Sequence, residues 1–386
     1  DLVMMGEGEI TFAHFLKALL EGEDLKQVPG LMVRNADGTF TDTGFRQVMD
    51  MSQIPFPYAF MDMKELEHRI IYYESSRGCP FSCAYCLSSI DKKLRFRSLD
   101  LVLPELEWFL QAKVPQVKFV DRTFNCKKSH AMAIWQYIRD HDNGVTNFHF
   151  EIAADLLDKD ELDLLSTMRP GLVQLEIGVQ STNEKTLETI RRKTDIEEIR
   201  QITATINSWH NIHQHLDLIA GLPGETAEDM RDTLCQIEEL SPDSLTVHAL
   251  AIKRAAKFGQ EQRKIDLHSE IEQMVEESAR AAERMGLVPY YLYRQKNIAG
   301  NFENVGYAKV DKAGIYNILI MEEKQSIIAA GAGASTKILL DEPIIVPGSR
   351  NQRKTTLMRV ENVKNIKDYI GRIDEMIERK GEWLWR

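Results

Sequence analysis

Long apolar runs are missing from these 386 residues. None approaches the ~18 residues that a membrane helix needs, which excludes a span of that kind, and no secretory signal peptide is expected. Cysteine is scarce, five in all, which points to a reducing cytoplasm. An excess of base is absent too. The formal charge is −11, and lysines and arginines are scattered or matched by acids. No phosphate-neutralising patch for nucleic acid is visible. The densest basic run, Lys92-Lys93-Leu94-Arg95-Phe96-Arg97, reads as a solvated stretch. With 43% hydrophobic and 28% charged residues, the chain can bury a large core and is globular. Its length allows two or three domains, or one α/β barrel with appendages. It starts at Asp1 in mid-pattern, which reads as a fragment or a joined sequence.

Residues 1–22 read as a strand end, a turn and a helix. Gly6-Glu7-Gly8-Glu9 precedes Phe12, Phe15, Leu16, Leu19 and Leu20 at helical spacing. Residues 31–60 read as a linker with a short hairpin around Asp37-Gly38 and a Pro55-Phe56-Pro57 stretch. From residue 70 the rhythm changes. Strands are expected at 70–74, 116–121, 147–153, 172–178, 212–219 and 244–249. Helices are expected at 98–113, 128–142, 158–168, 183–209 and 225–240. Such alternation implies a parallel sheet covered by helices. Six units cannot close an eight-stranded barrel, so a partial (β/α)6 barrel is the economical fold, with chemistry at the carboxyl ends of its strands. Beyond residue 260 the pattern gives a long helix at 266–286, then residues 287–293 and a glycine-punctuated stretch through Gly306, a strand-like 315–321, and a closing helix at 361–380. The expected domains are a remnant and linker at 1–60, the barrel at 65–255, and a smaller α+β domain at 260–386.

Cys79, Cys83 and Cys86 supply three thiolates from one short loop. A structural zinc site normally needs four protein ligands, and a ferredoxin-like carrier a fourth cysteine per cluster. Cys126 and Cys235 are isolated, and position 88 is Ser. Disulfides across such short spacings strain the bridge. Three cysteines on a four-iron cube leave one iron open to a non-protein ligand. Polar residues at the ends of apolar strands are the other informative positions: Asp121-Arg122-Thr123, Glu151, Gln180-Ser181 and Asp217. A charge inside an apolar strand is costly unless it is paired or faces a site. The alternative for each is a cap or a satisfied core group.

The Cys-x3-Cys-x2-Cys spacing is the signature of the radical S-adenosylmethionine superfamily, which the chain resembles from about residue 70 to 250. That resemblance implies a 4Fe-4S cluster whose open iron chelates S-adenosylmethionine. It also implies a low-potential electron donor, such as flavodoxin or ferredoxin. From about residue 212 the chain resembles oxygen-independent coproporphyrinogen dehydrogenase. The residues that carry this are Leu218-Ile219-Ala220-Gly221-Leu222-Pro223-Gly224-Glu225-Thr226, Pro242-Asp243-Ser244-Leu245-Thr246-Val247-His248, Tyr290-Tyr291-Leu292-Tyr293-Arg294-Gln295-Lys296-Asn297, Glu303-Asn304-Val305-Gly306-Tyr307 and Gly331-Ala332-Gly333-Ala334. The first half, with Gly6-Glu7-Gly8-Glu9 and Phe119-Val120-Asp121-Arg122-Thr123-Phe124-Asn125, is similar to cobalamin-linked radical proteins. The Asp-x-His-x-x-Gly motif for cobalt is absent, so cobalamin enters only if a domain lies upstream. A natural fusion, a fragment and a chimera joined near 210–225 all stay open.

Carried over position by position, the resemblance implies that Cys79, Cys83 and Cys86 ligate the cluster and that Tyr85 lies beside the adenine or the cluster. Asp121, Arg122 and Thr123 would meet the methionine amino group. Glu151, Gln180, Arg192 and Asp217 would hold ribose and carboxylate. Tyr73 is a substrate-side candidate or a buried strand tyrosine. The leading expectation is oxidative decarboxylation of a porphyrinogen-like small molecule. The rivals are a cobalamin-linked methyltransferase and a haem-binding relative without turnover.

Overall fold

The structure, a computed structural model, describes residues 2–61, 70–261, 270–294, 298, 300, 302–321, 326–346, 348–349 and 351–385. At the amino end, strands β1 (Leu2–Met4), β2 (Leu31–Arg34) and β3 (Phe40–Asp42) form an antiparallel sheet. Helix α1 (Glu9–Glu21) packs on it through a small core of Ala18, Val28, Leu31 and Val33.

The next strands are β4 (Ile70–Tyr73), the short pair β5 (Ser76–Arg77) and β6 (Arg95–Phe96), then β7 (Gln116–Phe119), β8 (Asn147–Ile152), β9 (Val173–Gln180), β10 (His213–Ala220) and β11 (Ser244–Ala249). β4 and β7 to β11 lie side by side in chain order, every neighbour parallel. Helices α2 (Leu99–Gln111), α3 (Lys128–Asp140), α4 (Lys159–Ser166), α5 (Glu184–Thr189), α6 (Ile196–Trp209) and α7 (Ala227–Leu240) make the crossovers. The expected partial (β/α)6 barrel is therefore present. Its strands alternate strictly, because successive side chains of a strand point to opposite faces. Val117, Phe119, Phe148, Phe150, Leu175, Ile177, Leu216, Leu218, Leu245 and Val247 are buried in the hydrophobic core. The residues between them are polar and face the inside of the curved sheet. Local signals start the helices on time. Before α7, Thr226 accepts from the Asp229 N–H at 3.2 Å while Asp229 accepts from the Thr226 N–H at 2.9 Å, a reciprocal cap.

Four expectations needed correction. The helix expected at 183–209 breaks between α5 and α6, where Arg191 adopts a left-handed φ of 55°. The stretch Ile315–Met321, strand-like by its β-branched residues, is a helix, since tertiary context overrides weak propensity. The barrel sheet also continues past residue 255. After the short α8 (Lys257–Gln260) and α9 (Ile271–Arg284), β12 (Val288–Tyr293) and β13 (Asn304–Ala308) add two antiparallel strands to the β11 edge, making eight. Helix α10 (Ile315–Met321) then leads to a hairpin, β14 (Ser335–Ile345) and β15 (Lys354–Glu361), and to α11 (Ile366–Gly371) and α12 (Ile373–Leu384), two helices where one was expected. The start of the expected 266–286 helix and Gln295-Lys296-Asn297 lie outside the described residues. Among the described residues no helix is long and apolar enough to cross a membrane.

Candidate active site

The three-cysteine loop leaves β5 at the carboxyl end of the sheet. Gly78 opens it with φ +98°, and a Cβ there would lie 2.7 Å from the Lys93 carbonyl oxygen, so only glycine fits. The Cys79 N–H donates to the Asp91 carbonyl at 3.1 Å, the Ala84 N–H to that of Ile190 at 2.8 Å, and the Phe258 N–H to that of Ala84 at 3.0 Å. The loop is thus tied to three other segments. Cys79 and Cys83 are buried and Cys86 is partly exposed. Burial pushes the Cys83 thiol up in pKa, and the Arg192 guanidinium opposes that shift. Arg192 Nη1 lies 3.8 Å from Cys83 Sγ, and its Nη2 holds the Gly178 carbonyl. The break between α5 and α6 delivers Arg192 to this place. Tyr85 stands against Cys83, its hydroxyl pKa raised by burial.

The other expected residues divide. Thr123 Oγ1 is 3.6 Å from Cys79 Sγ. Gln180 ends β9 with φ 71°, across from a register shift between Asp217 and Leu218. Its amide folds over Gly178, where any Cβ would collide with it and meet Arg192. Arg122, Glu151 and Asp217 line a common cavity. Asp121 does not. Its buried carboxylate accepts from the Ser75 N–H at 2.9 Å, from Ser75 Oγ at 2.8 Å and from Ser76 Oγ, which fixes the turn before the cysteines. Tyr73 is the second departure. Alternation makes its neighbour Tyr72 the lining residue, and the Tyr73 hydroxyl instead donates to Glu105 at 2.5 Å, inside a network with Arg97.

Inside the sheet lies a cavity of about 320 Å³ with several functional groups that sequence reasoning had missed. Lys118 Nζ donates to Glu176 at 2.9 Å and stands 4.0 Å from Glu151. His149 Nε2 lies 2.8 Å from the same Glu176 carboxylate but off the hydrogen-bonding direction. On β10 and β11, His215 Nδ1 meets Ser244 Oγ at 2.7 Å, and both His215 and His248 reach Asp217 Oδ1 at 3.3 Å. Burial and the Glu176 charge push Glu151 up to about 8, against Lys118 and Arg122. Burial and Glu176 would also raise Asp217, but its histidine partners hold it below the usual range. Lys118 keeps Glu176 well below that range despite burial. Neighbouring carboxylates have thus been driven apart, Glu151 upward and Asp217 and Glu176 downward. Tyr290, Tyr291, Tyr316 and Asn317 from the carboxyl-terminal part close one side of the cavity. The signal that could have found the missed groups is the period-two run of polar residues, Gln116 and Lys118, His149 and Glu151, Gln174 and Glu176, His213, His215 and Asp217.

The donor set suits an iron–sulfur cluster. Three soft thiols sit in a pinned loop with a cation beside one of them. Cys126 is driven up to about 11 by burial, Asp121 and Cys79, which keeps it a thiol. No three His, Cys, Asp or Glu side chains among the described residues converge on one metal ion, whereas a four-iron cube gives each thiolate its own iron.

Residues 73–236 match the model of the radical SAM superfamily. The chain carries a radical SAM domain. A domain of this family implies a 4Fe-4S cluster and S-adenosylmethionine. The chain is 37% identical over 238 residues to the oxygen-independent coproporphyrinogen-III oxidase-like protein HemZ of Bacillus subtilis, covering 60% of this chain and 44% of that protein. It is 27% identical over 272 residues to the cobalamin-dependent radical SAM methyltransferase TokK of Streptomyces tokunonensis, covering 65% of this chain and 39% of that one. The chain thus spans less than half the length of these two relatives. Among solved structures it resembles the radical S-adenosylmethionine methyltransferase TsrM from Kitasatospora setae, with TM-score 0.56 and 18% identity over 80% of this chain and 64% of that one, a likeness of fold. The matched residues therefore cover the cysteine loop and the carboxyl ends of β4 and of β7 to β10, while β11 and the carboxyl-terminal tyrosines of the cavity lie beyond them.

Proposed function

We propose that this chain is a radical S-adenosylmethionine oxidoreductase acting on a porphyrinogen-like propionate. The observation that carries the reading is spatial: Tyr290 and Tyr291, in one of the carboxyl-terminal motifs that resemble coproporphyrinogen dehydrogenase, line the same cavity as Glu151 and Asp217. The 37% identity to a coproporphyrinogen-III oxidase-like protein supports the same substrate class. Cys79, Cys83 and Cys86 would hold the cluster, which with S-adenosylmethionine would supply radical chemistry able to take a hydrogen atom from the propionate β-carbon. Loss of carbon dioxide, with one electron passed to a one-electron acceptor, would leave a vinyl group.

The protein's part is to hold and to aim. Glu151, Asp217 and Gln180 accept from or donate to the ribose and ammonium groups of the cofactor. Arg192, fixed between Cys83 and Gly178, would pair with its carboxylate. The cavity, about 320 Å³, is at the small end for ligand sites, so a macrocycle stays at its mouth and sends in one side chain. Arg122 and the tyrosines at the rim offer that substrate a cation for carboxylate and aromatic surface for the ring.

The test is anaerobic. Reconstituted protein, reduced by dithionite or flavodoxin, is given S-adenosylmethionine with and without coproporphyrinogen III. The expected outcome is 5′-deoxyadenosine formed faster with the porphyrinogen, with release of carbon dioxide. Cleavage indifferent to the porphyrinogen and without carbon dioxide would remove the substrate reading and favour a methyltransferase.

A further inference from the structure

Arg77 and Arg95 stand directly opposite each other in the β5–β6 pair, the two strands that flank the cysteine loop on either side. Like charges facing across an antiparallel pair repel, and Arg95 has only 9% of its side chain exposed, so water cannot screen it well. Something must hold these two together. It is Glu7, from the Gly6-Glu7-Gly8-Glu9 run of the amino-terminal segment. Its carboxylate takes Arg95 in a two-pronged contact, Oε1 from Nη2 at 2.6 Å and Oε2 from Nη1 at 3.0 Å, and takes Arg77 Nη1 on Oε1 at 3.1 Å. The geometry is the strong bidentate form.

Around this bridge the remaining charges are arranged in support. Glu74 and Glu9 both accept from the outer nitrogen of Arg77, Nη2, at 2.6 and 2.8 Å. Arg95 Nη2 also reaches Asp91 at 3.0 Å, and the Asp91 carbonyl accepts the Cys79 N–H at 3.1 Å. Arg77 is separated from Cys79 by Gly78 alone. Both ends of the loop are therefore clamped by one carboxylate that lies more than seventy positions earlier in the chain than the first cysteine.

We infer that Glu7 is a positioning residue for the cluster loop: it neutralises the Arg77–Arg95 pair and so fixes the strand pair from which Cys79 departs. The inference rests on the reading of Cys79, Cys83 and Cys86 as cluster ligands. It assigns the amino-terminal segment a role in that site, independent of whatever cofactor or domain lies elsewhere.

Two arms test it. In the metal-free protein, amide hydrogen exchange is followed for Glu7→Gln, for Arg95→Lys, which keeps the charge but loses the fork, and for Glu9→Gln, which touches only the outer nitrogen of Arg77. Glu7→Gln is expected to speed exchange in residues 76–97 by roughly tenfold, Arg95→Lys to do so less, and Glu9→Gln hardly at all, with β8 and β9 unchanged in each. In the second arm, reconstituted Glu7→Gln protein is expected to lose iron to a chelator faster than wild type and to show a broadened electron paramagnetic signal. Unchanged exchange in 76–97, or acceleration spread evenly over the barrel, overturns the inference. Should Glu7→Gln not fold, Arg95→Lys carries the same two outcomes. Failure of the wild-type protein to take up iron would instead count against the cluster reading, while the exchange arm still judges Glu7.

Discussion

Arg192 joins Cys83 to the end of β9: one terminal nitrogen lies 3.8 Å from the sulfur and the other on the Gly178 carbonyl. A buried guanidinium that lies against a cysteine sulfur on one side can meet an anionic ligand with its remaining capacity, and its Nε has no hydrogen-bond partner among the described residues. Replacing Arg192 by Met should weaken cofactor binding by roughly tenfold or more, the equivalent of one charged hydrogen bond. Titration of S-adenosylmethionine into reconstituted variant and wild type measures this. Equal affinity would make Arg192 a packing residue.

The cysteines separate into two kinds. Cys79, Cys83 and Cys86 share the pinned loop, while Cys126, held protonated by burial, and exposed Cys235 stand outside it. Alanine at any of the three is expected to remove most of the iron on anaerobic reconstitution, and alanine at Cys126 or Cys235 to leave it. Iron and sulfide analysis decides. Loss from Cys126→Ala matching that from Cys79→Ala would sink the three-ligand assignment.

Much of the barrel was legible because its strands combine apolar residues every second position with punctual turn and capping signals, as at Thr226 and Asp229. The cysteine spacing announced the loop. Less of the cavity was legible. Lys118, His149, Glu176 and His215 look like expensive polar intrusions until the sheet curves and brings them together, when each becomes another's partner. Arg192 was reached by resemblance, but its position depends on a helix break at Arg191 that no strong breaker residue marks. Tyr73 and Asp121 show the converse. Both are polar groups near strand ends, and both turn out to be satisfied inside the fold.

Tyr73 therefore yields a prediction of its own. Its hydroxyl shares Glu105 with Arg97, which approaches the carboxylate at 2.9 and 2.5 Å. In Tyr73→Phe the carboxylate keeps its cation, so the cost should be about 0.5–1.5 kcal/mol of stability with cofactor cleavage unchanged. Chemical denaturation and 5′-deoxyadenosine assays on the same preparation check both halves. A large fall in cleavage at intact stability would return Tyr73 to the reacting groups.

Glu225 provides a test by pH. It is buried, accepts from Ser181 Oγ at 2.5 Å on one oxygen, and has no partner for the other among the described residues. Burial pushes its carboxyl from the ordinary 4.5 up to about 7. A raised folded-state value means that the native protein holds the proton more tightly than the unfolded chain. Its contribution to stability is then complete below about 4.5 and is lost as pH rises through about 7. Glu225→Gln keeps an acceptor for Ser181 and cannot ionise. The midpoint of thermal unfolding of the variant should therefore gain on wild type as pH rises from 5 to 8, by about 2 °C or more at the upper end. All other titrating groups are common to both proteins and cancel in the difference. Curves for the two proteins that run parallel across this interval would mean that Glu225 is already ionised in the fold.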